Sequence, residues 1–112
     1  MKRIYHPGGS VVTGSALADA VMLYAEALSN RRETDVVDIP VIDADGSRGR
    51  AQFLIGASSQ LVSVTSADSE WELTEIATTQ ALQDKVREGT APVSLVWAGA
   101  PLASPQFDEL DY

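Results

Sequence analysis

Leu17, Ala20, Val21, Tyr24, Ala27 and Leu28 recur at the three-and-four spacing of one helix face, while Asp19, Glu26 and Asn30 fall off that stripe. A single apolar stripe has to be buried against another layer. Thr13 or Ser15 can cap the first free amides, Asp19 suits the positive end, and Arg31 and Arg32 suit the negative end. Ala16, Ala18, Ala20, Ala25 and Ala27 keep the rod slim enough to lie close on a sheet. The spacing therefore predicts a helix over 15–30 with Leu17, Val21, Tyr24 and Leu28 turned inward.

Material for that sheet lies on both sides of the helix. Residues 2–6 and the pair Val11 and Val12, separated by Pro7-Gly8-Gly9, predict a small hairpin. Runs at 35–43, 50–55 and 60–65, rich in β-branched residues and separated by ADGS and GASS, predict an antiparallel meander. Val37, Ile39 and Val41 share one face of the first run, and Ala51, Phe53 and Ile55 share one face of the second. Val62 and Val64 would supply the third strand. Pro40 lacks a ladder donor, which places its strand at an edge or a bulge. Ser69-Glu70-Trp71-Glu72 fits a capping box and favours a helix from Glu70, although Trp71 and Leu73 also alternate with charges as in a strand. Helical spacing is clear over 79–88, where Leu82 and Val86 share a face and Gly89 ends the pattern. Residues 93–97 can add a last short strand. The fold class that results is α+β: two layers, an antiparallel sheet of four to six strands covered by a long first helix, with a second, shorter helix.

A chain of 112 residues has room for one domain, read here as 1–100, followed by an extended acidic tail over 101–112. There is no cysteine, which excludes disulfides, thiolate metal ligands and a cysteine nucleophile. No apolar run approaches the ~20 residues of a membrane span, and MKRIYHPGG lacks the apolar stretch of a signal peptide, so the expected location is cytoplasmic with no membrane partner. Sixteen acids against eight bases leave a net charge of -8, which repels polyanions and argues against nucleic acid as a partner. The pairs Lys2-Arg3, Arg31-Arg32 and Arg48-Arg50 read as solvated charges beside acids or turns rather than as one basic patch.

Several motifs come close to known chemistry. Gly9 to Ala16 carries the two glycines of a P-loop at the right separation. Ser15, however, stands at the lysine position and Ala16 at the magnesium-binding hydroxyl, so a hairpin turn and helix start explain the stretch. What survives is an anion site on free helix amides, with His6, Gly8, Gly9, Gly14, Ser15, Arg48 and Arg50 as its candidate residues. Residues 41–52, VIDADGSRGRAQ, resemble a calcium loop but put Val41 and Gln52 at two essential carboxylate positions, so Asp45-Gly46 reads as a hairpin turn. His6 is the sole histidine, which leaves no second histidine for a zinc site or acid–base pair. No metal or other cofactor is expected. At the carboxyl end Phe107, Leu110 and Tyr112 alternate with acids, a composition that suits docking on a partner protein but is met first by an ordinary frayed, solubilising terminus.

The stretch SALADAVMLYAEALSNRRETDVVDIPV, with its bias to alanine, aspartate and valine, resembles a family of small uncharacterised actinobacterial proteins. The resemblance covers mainly residues 11–41, carries no functional motif and implies a bacterial, cytoplasmic setting. The poor catalytic inventory favours a non-catalytic protein-interaction module, a homodimer through an open sheet edge, with a basic partner protein as a variant. The competing class is a small protein or enzyme that binds an anionic metabolite through the loop at 8–15. Clustering of Arg48, Arg50 and His6 around that loop would favour the second class, and their dispersal the first.

Overall fold

β1 (Lys2–His6) and β2 (Gly9–Thr13) form the expected hairpin in this computed structural model, which describes residues 1–66 and 71–88. The apolar stripe then folds as α1 (Ser15–Arg31), with Leu17, Val21, Tyr24 and Leu28 all buried. Its amino end departs from expectation. Gly14 is the capping residue and offers no side chain, because the Thr13 hydroxyl is turned away to donate to the Pro40 carbonyl (2.7 Å). Asp19 is drawn off the helix dipole by Lys2, at 2.6 Å. At the other end Arg32 takes a left-handed conformation, and the amides of Arg32 and Glu33 return to the carbonyls of Ser29 and Leu28. Arg31 bridges instead to the second helix, donating to the carbonyls of Lys85 and Val86 at 3.1 and 3.0 Å.

β3 (Thr34–Ile42) and β4 (Arg48–Gly56) pair over their full length. β5 (Val62–Thr65) does not continue the meander. It pairs with β1, giving an antiparallel sheet in the order β4-β3-β2-β1-β5. Alternation identifies a strand but not its neighbour. Here the chain turns out of β4 at Gly56, whose amide is held by Ser59 Oγ (2.8 Å), and crosses to the unpaired flank of β1. β2 reaches β3 only at Val12 opposite Ile42. Pro40 therefore lies where β3 is laddered on the β4 side alone, although β3 is not an outer strand of the sheet.

α2 (Ile76–Glu88) begins six residues after Glu70, so the capping-box reading fails: Trp71 to Glu75 are not helical, and Ser69 and Glu70 lie outside the described residues. The expected face over 79–88 is present, with Leu82 buried and Val86 packed against the core. Leu73 lies on Gly14, and Arg31 meets the last turn of α2, so the two helices run in the same direction. Tyr24 donates to Asp35 (2.5 Å), and Lys85 pairs with the same carboxylate (3.3 Å), tying both helices to the start of β3. The core is Ile4, Val37, Ile39, Val41 and Ile55 from the sheet against Ala18, Val21, Tyr24 and Leu28 of α1. No helix among the described residues is long and apolar enough to cross a membrane. The expected strand at 93–97, Gly89 as terminator, and the tail with Phe107, Leu110 and Tyr112 lie outside the described residues.

Candidate functional site

The residues expected to form an anion loop occupy different ends of one hairpin. His6 and Gly9 face each other at the β1–β2 turn, whereas Lys2 and Thr13 pair at the opposite end, where Gly14 and Ser15 begin α1. Four residue steps of strand, roughly 13 Å, separate the two groups. His6 is held in place by its neighbours: Nδ1 accepts from the Gly8 amide (3.1 Å), and the ring stacks on Phe53 with centroids 5.5 Å apart.

At the start of α1 an anion is already supplied by the chain. The Ser15 amide donates to Glu72 Oε1 (2.8 Å), the Ser15 hydroxyl to Oε2 (3.0 Å), and the Met1 ammonium to Oε2 (2.6 Å). The ammonium is the main cause holding the Glu72 carboxyl down at about 2, with the Ser15 amide second. Gly14 serves this arrangement sterically. A methyl on its Cα would lie 1.7 Å from the Leu73 carbonyl oxygen, so only glycine lets the Glu72 segment come so close. The glycine that looked like half of a phosphate loop is a contact point between two parts of the backbone.

The arginines are likewise engaged or apart. Arg50 donates from Nε to Asp38 (2.7 Å) and from Nη1 to Glu75 (2.9 Å), locking β4 to β3 and to the residue before α2. This guanidinium holds both carboxyls below their ordinary range, helped at Asp38 by Gln52 and at Glu75 by Thr78. Arg48 is exposed at the first position of β4, opposite Ile42. The structure thus keeps His6 at the Gly8–Gly9 end of the loop but places Arg48 and Arg50 on β4, opposite Ile42 and Pro40, with Arg50 engaged by Asp38 and Glu75. Residues 43–47 form the hairpin turn expected of them: the Gly46 amide returns to the Asp43 carbonyl (2.9 Å), Ser47 caps on Asp45 (2.6 Å), and Gly46 sits at φ +88°.

A different feature stands out on the sheet. In β5 the apolar side chains point outward: Val62 is 56 % exposed and Val64 46 %, beside Tyr5 of β1, also 46 % exposed and directly opposite Val62. Between them Ser63 turns inward opposite Ile4, and its hydroxyl is buried with no hydrogen-bond partner among the described residues. The strand buries its polar group and displays its apolar ones. Among the described residues β5 has one strand neighbour, β1, and no strand pairs with its outer flank. The sequence marks Val62 and Val64 as the apolar positions of a strand, but alternation does not say which parity faces in. Comparison with family models, with curated proteins and with solved structures finds no match to this chain.

Proposed function

We propose that this chain is a non-catalytic protein-interaction module of the bacterial cytoplasm and acts as a homodimer, two copies meeting along the outer flank of β5. The observation that carries the reading is the inverted strand. A one-residue shift in pairing would bury Val62 and Val64 and expose Ser63, yet the register with β1 keeps the reverse. Burying the valines against a second copy supplies the apolar packing that the isolated fold forgoes. β5 also lacks the charges and prolines by which exposed edges are ordinarily kept from pairing. The opposite outer strand, β4, carries Arg48 and Arg50. Two antiparallel copies of β5 related by a two-fold axis satisfy each other's edge amides and carbonyls and join their apolar rows. The internal engagement of Glu72 and Arg50, and the separation of His6 from Ser15, favour this reading over an anion site on the 8–15 loop. The resemblance of residues 11–41 to small actinobacterial proteins supports the bacterial setting.

Light scattering at micromolar concentration is expected to return twice the chain mass. The double substitution Val62→Lys, Val64→Lys should halve it while leaving the circular dichroism of the fold unchanged. A monomeric mass for the unaltered protein over the whole accessible concentration range would remove the homodimer.

A further inference from the structure

The turn between β3 and β4 borders β2 and leaves a cleft of about 670 Å³, within the span of roughly 300–1,000 Å³ usual for small-molecule sites. Its apolar lining includes Val12 and Ile42, both packed against the buried cluster of Met1, Leu17 and Leu73. Trp71, 54 % exposed, lines the same space, and so do Arg3 and Ser10. Arg3 Nη1 donates to Ser10 Oγ (2.9 Å), which fixes one arm of the fork. Lys2, Arg50, Lys85 and Arg87 each hold an acid, whereas Arg3, like Arg31, Arg32 and Arg48, has no carboxylate within ion-pair distance among the described residues. Of those four, Arg3 is the one that lines the cleft. Asp43 also borders the cleft, but its carboxylate is folded onto its own hairpin and accepts from Ser47 Oγ (3.4 Å).

We propose that this cleft binds a small aromatic carboxylate, with its ring against Trp71 and the Val12–Ile42 lining and its carboxylate on the Arg3 guanidinium. Three features select that class. The fork of a guanidinium matches the two oxygens of a carboxylate. An apolar lining beside an indole rewards a flat apolar body. A net charge of -8 disfavours multiply charged phosphates but burdens a singly charged ligand far less. This inference stands apart from the homodimer: a monomer would present the same cleft.

Calorimetric titration of the full chain with phenylacetate, phenylacetamide, inorganic phosphate and a short peptide ending in a phenylalanine carboxylate tests it. Phenylacetate should bind saturably, and phenylacetamide and phosphate at least about tenfold more weakly, the loss typical when a charge-assisted hydrogen bond is missing. Arg3→Gln and Trp71→Ala should each weaken phenylacetate by a similar factor, with the light-scattering mass of Arg3→Gln unchanged from the parent. Saturation by phenylacetamide equal to that by phenylacetate would overturn the proposal on the unaltered protein, with no variant needed. So would absence of saturable binding below about 10 mM, or an unchanged affinity in Arg3→Gln. Tighter binding of the peptide than of phenylacetate would replace the small-molecule ligand with a chain terminus and equally overturn it.

Discussion

Glu72 lies 57 positions from Ser15 in the sequence, yet its carboxylate takes up the first amide of α1 and the Met1 ammonium together. An anion at a helix start is favoured by the free N–H groups and by the dipole, and here the fold supplies one from its own chain. The same geometry sets a pH dependence. The folded carboxyl titrates at about 2 against an ordinary value of 4.5, so Glu72 binds fewer protons when folded than when unfolded. Its stabilising effect is complete above the unfolded value and is lost as pH falls from about 4.5 through about 2. Calorimetric melting of the parent and of Glu72→Gln should therefore differ most at neutral pH, with the gap narrowing as pH falls below about 4.5 and closing near pH 2. A gap that stays constant down to pH 3 would mean that the carboxylate charge is not what joins these segments. Sequence alone points to a different role, because Ser69 and Glu72 have the spacing of a capping box. A local pattern is silent about a partner 57 positions away.

Legibility at the scale of elements follows the same division between local and distant. α1 is readable because helical burial repeats within the segment, and its inward face of Leu17, Val21, Tyr24 and Leu28 is the observed one. The β1–β2 and β3–β4 hairpins are readable because each closes through a turn whose residues announce it. β5 is readable as a strand but not by neighbour or by face, since nothing within VSVT distinguishes the flank of β4 from that of β1. The candidate site is less legible for the same reason: single glycines and arginines carry no address. Ser63 offers a test of the assigned face. Its hydroxyl is buried without a partner among the described residues, so Ser63→Ala removes a desolvated polar group and leaves almost no cavity. The variant should be more stable by about 1 kcal/mol in chemical denaturation. A loss of stability would indicate that the hydroxyl is satisfied and that β5 does not sit with its polar side inward.

For the molecule as a whole, charge and apolar edge act in opposition. Each copy carries a net charge of -8, so two copies approaching along β5 repel one another through solvent. The strand that would meet its twin has no charged residue, and pairing there is driven by apolar burial and backbone hydrogen bonds. Salt screens the repulsion and leaves the apolar attraction nearly untouched. The screening length shrinks from roughly 30 Å at 0.01 M to about 8 Å at 0.15 M, shorter than the reach of most charges across such an interface. Sedimentation equilibrium is thus expected to show the dissociation constant falling several-fold between those two conditions and flattening at higher salt. The direction is what discriminates. An interface held by ion pairs, for instance Arg3 or Arg48 of one copy on the carboxylates of the other, would weaken as salt rises, because the same screening then removes an attraction. A dissociation constant that climbs with ionic strength would place the interface on charged surface and away from Val62 and Val64, even if the protein proved dimeric.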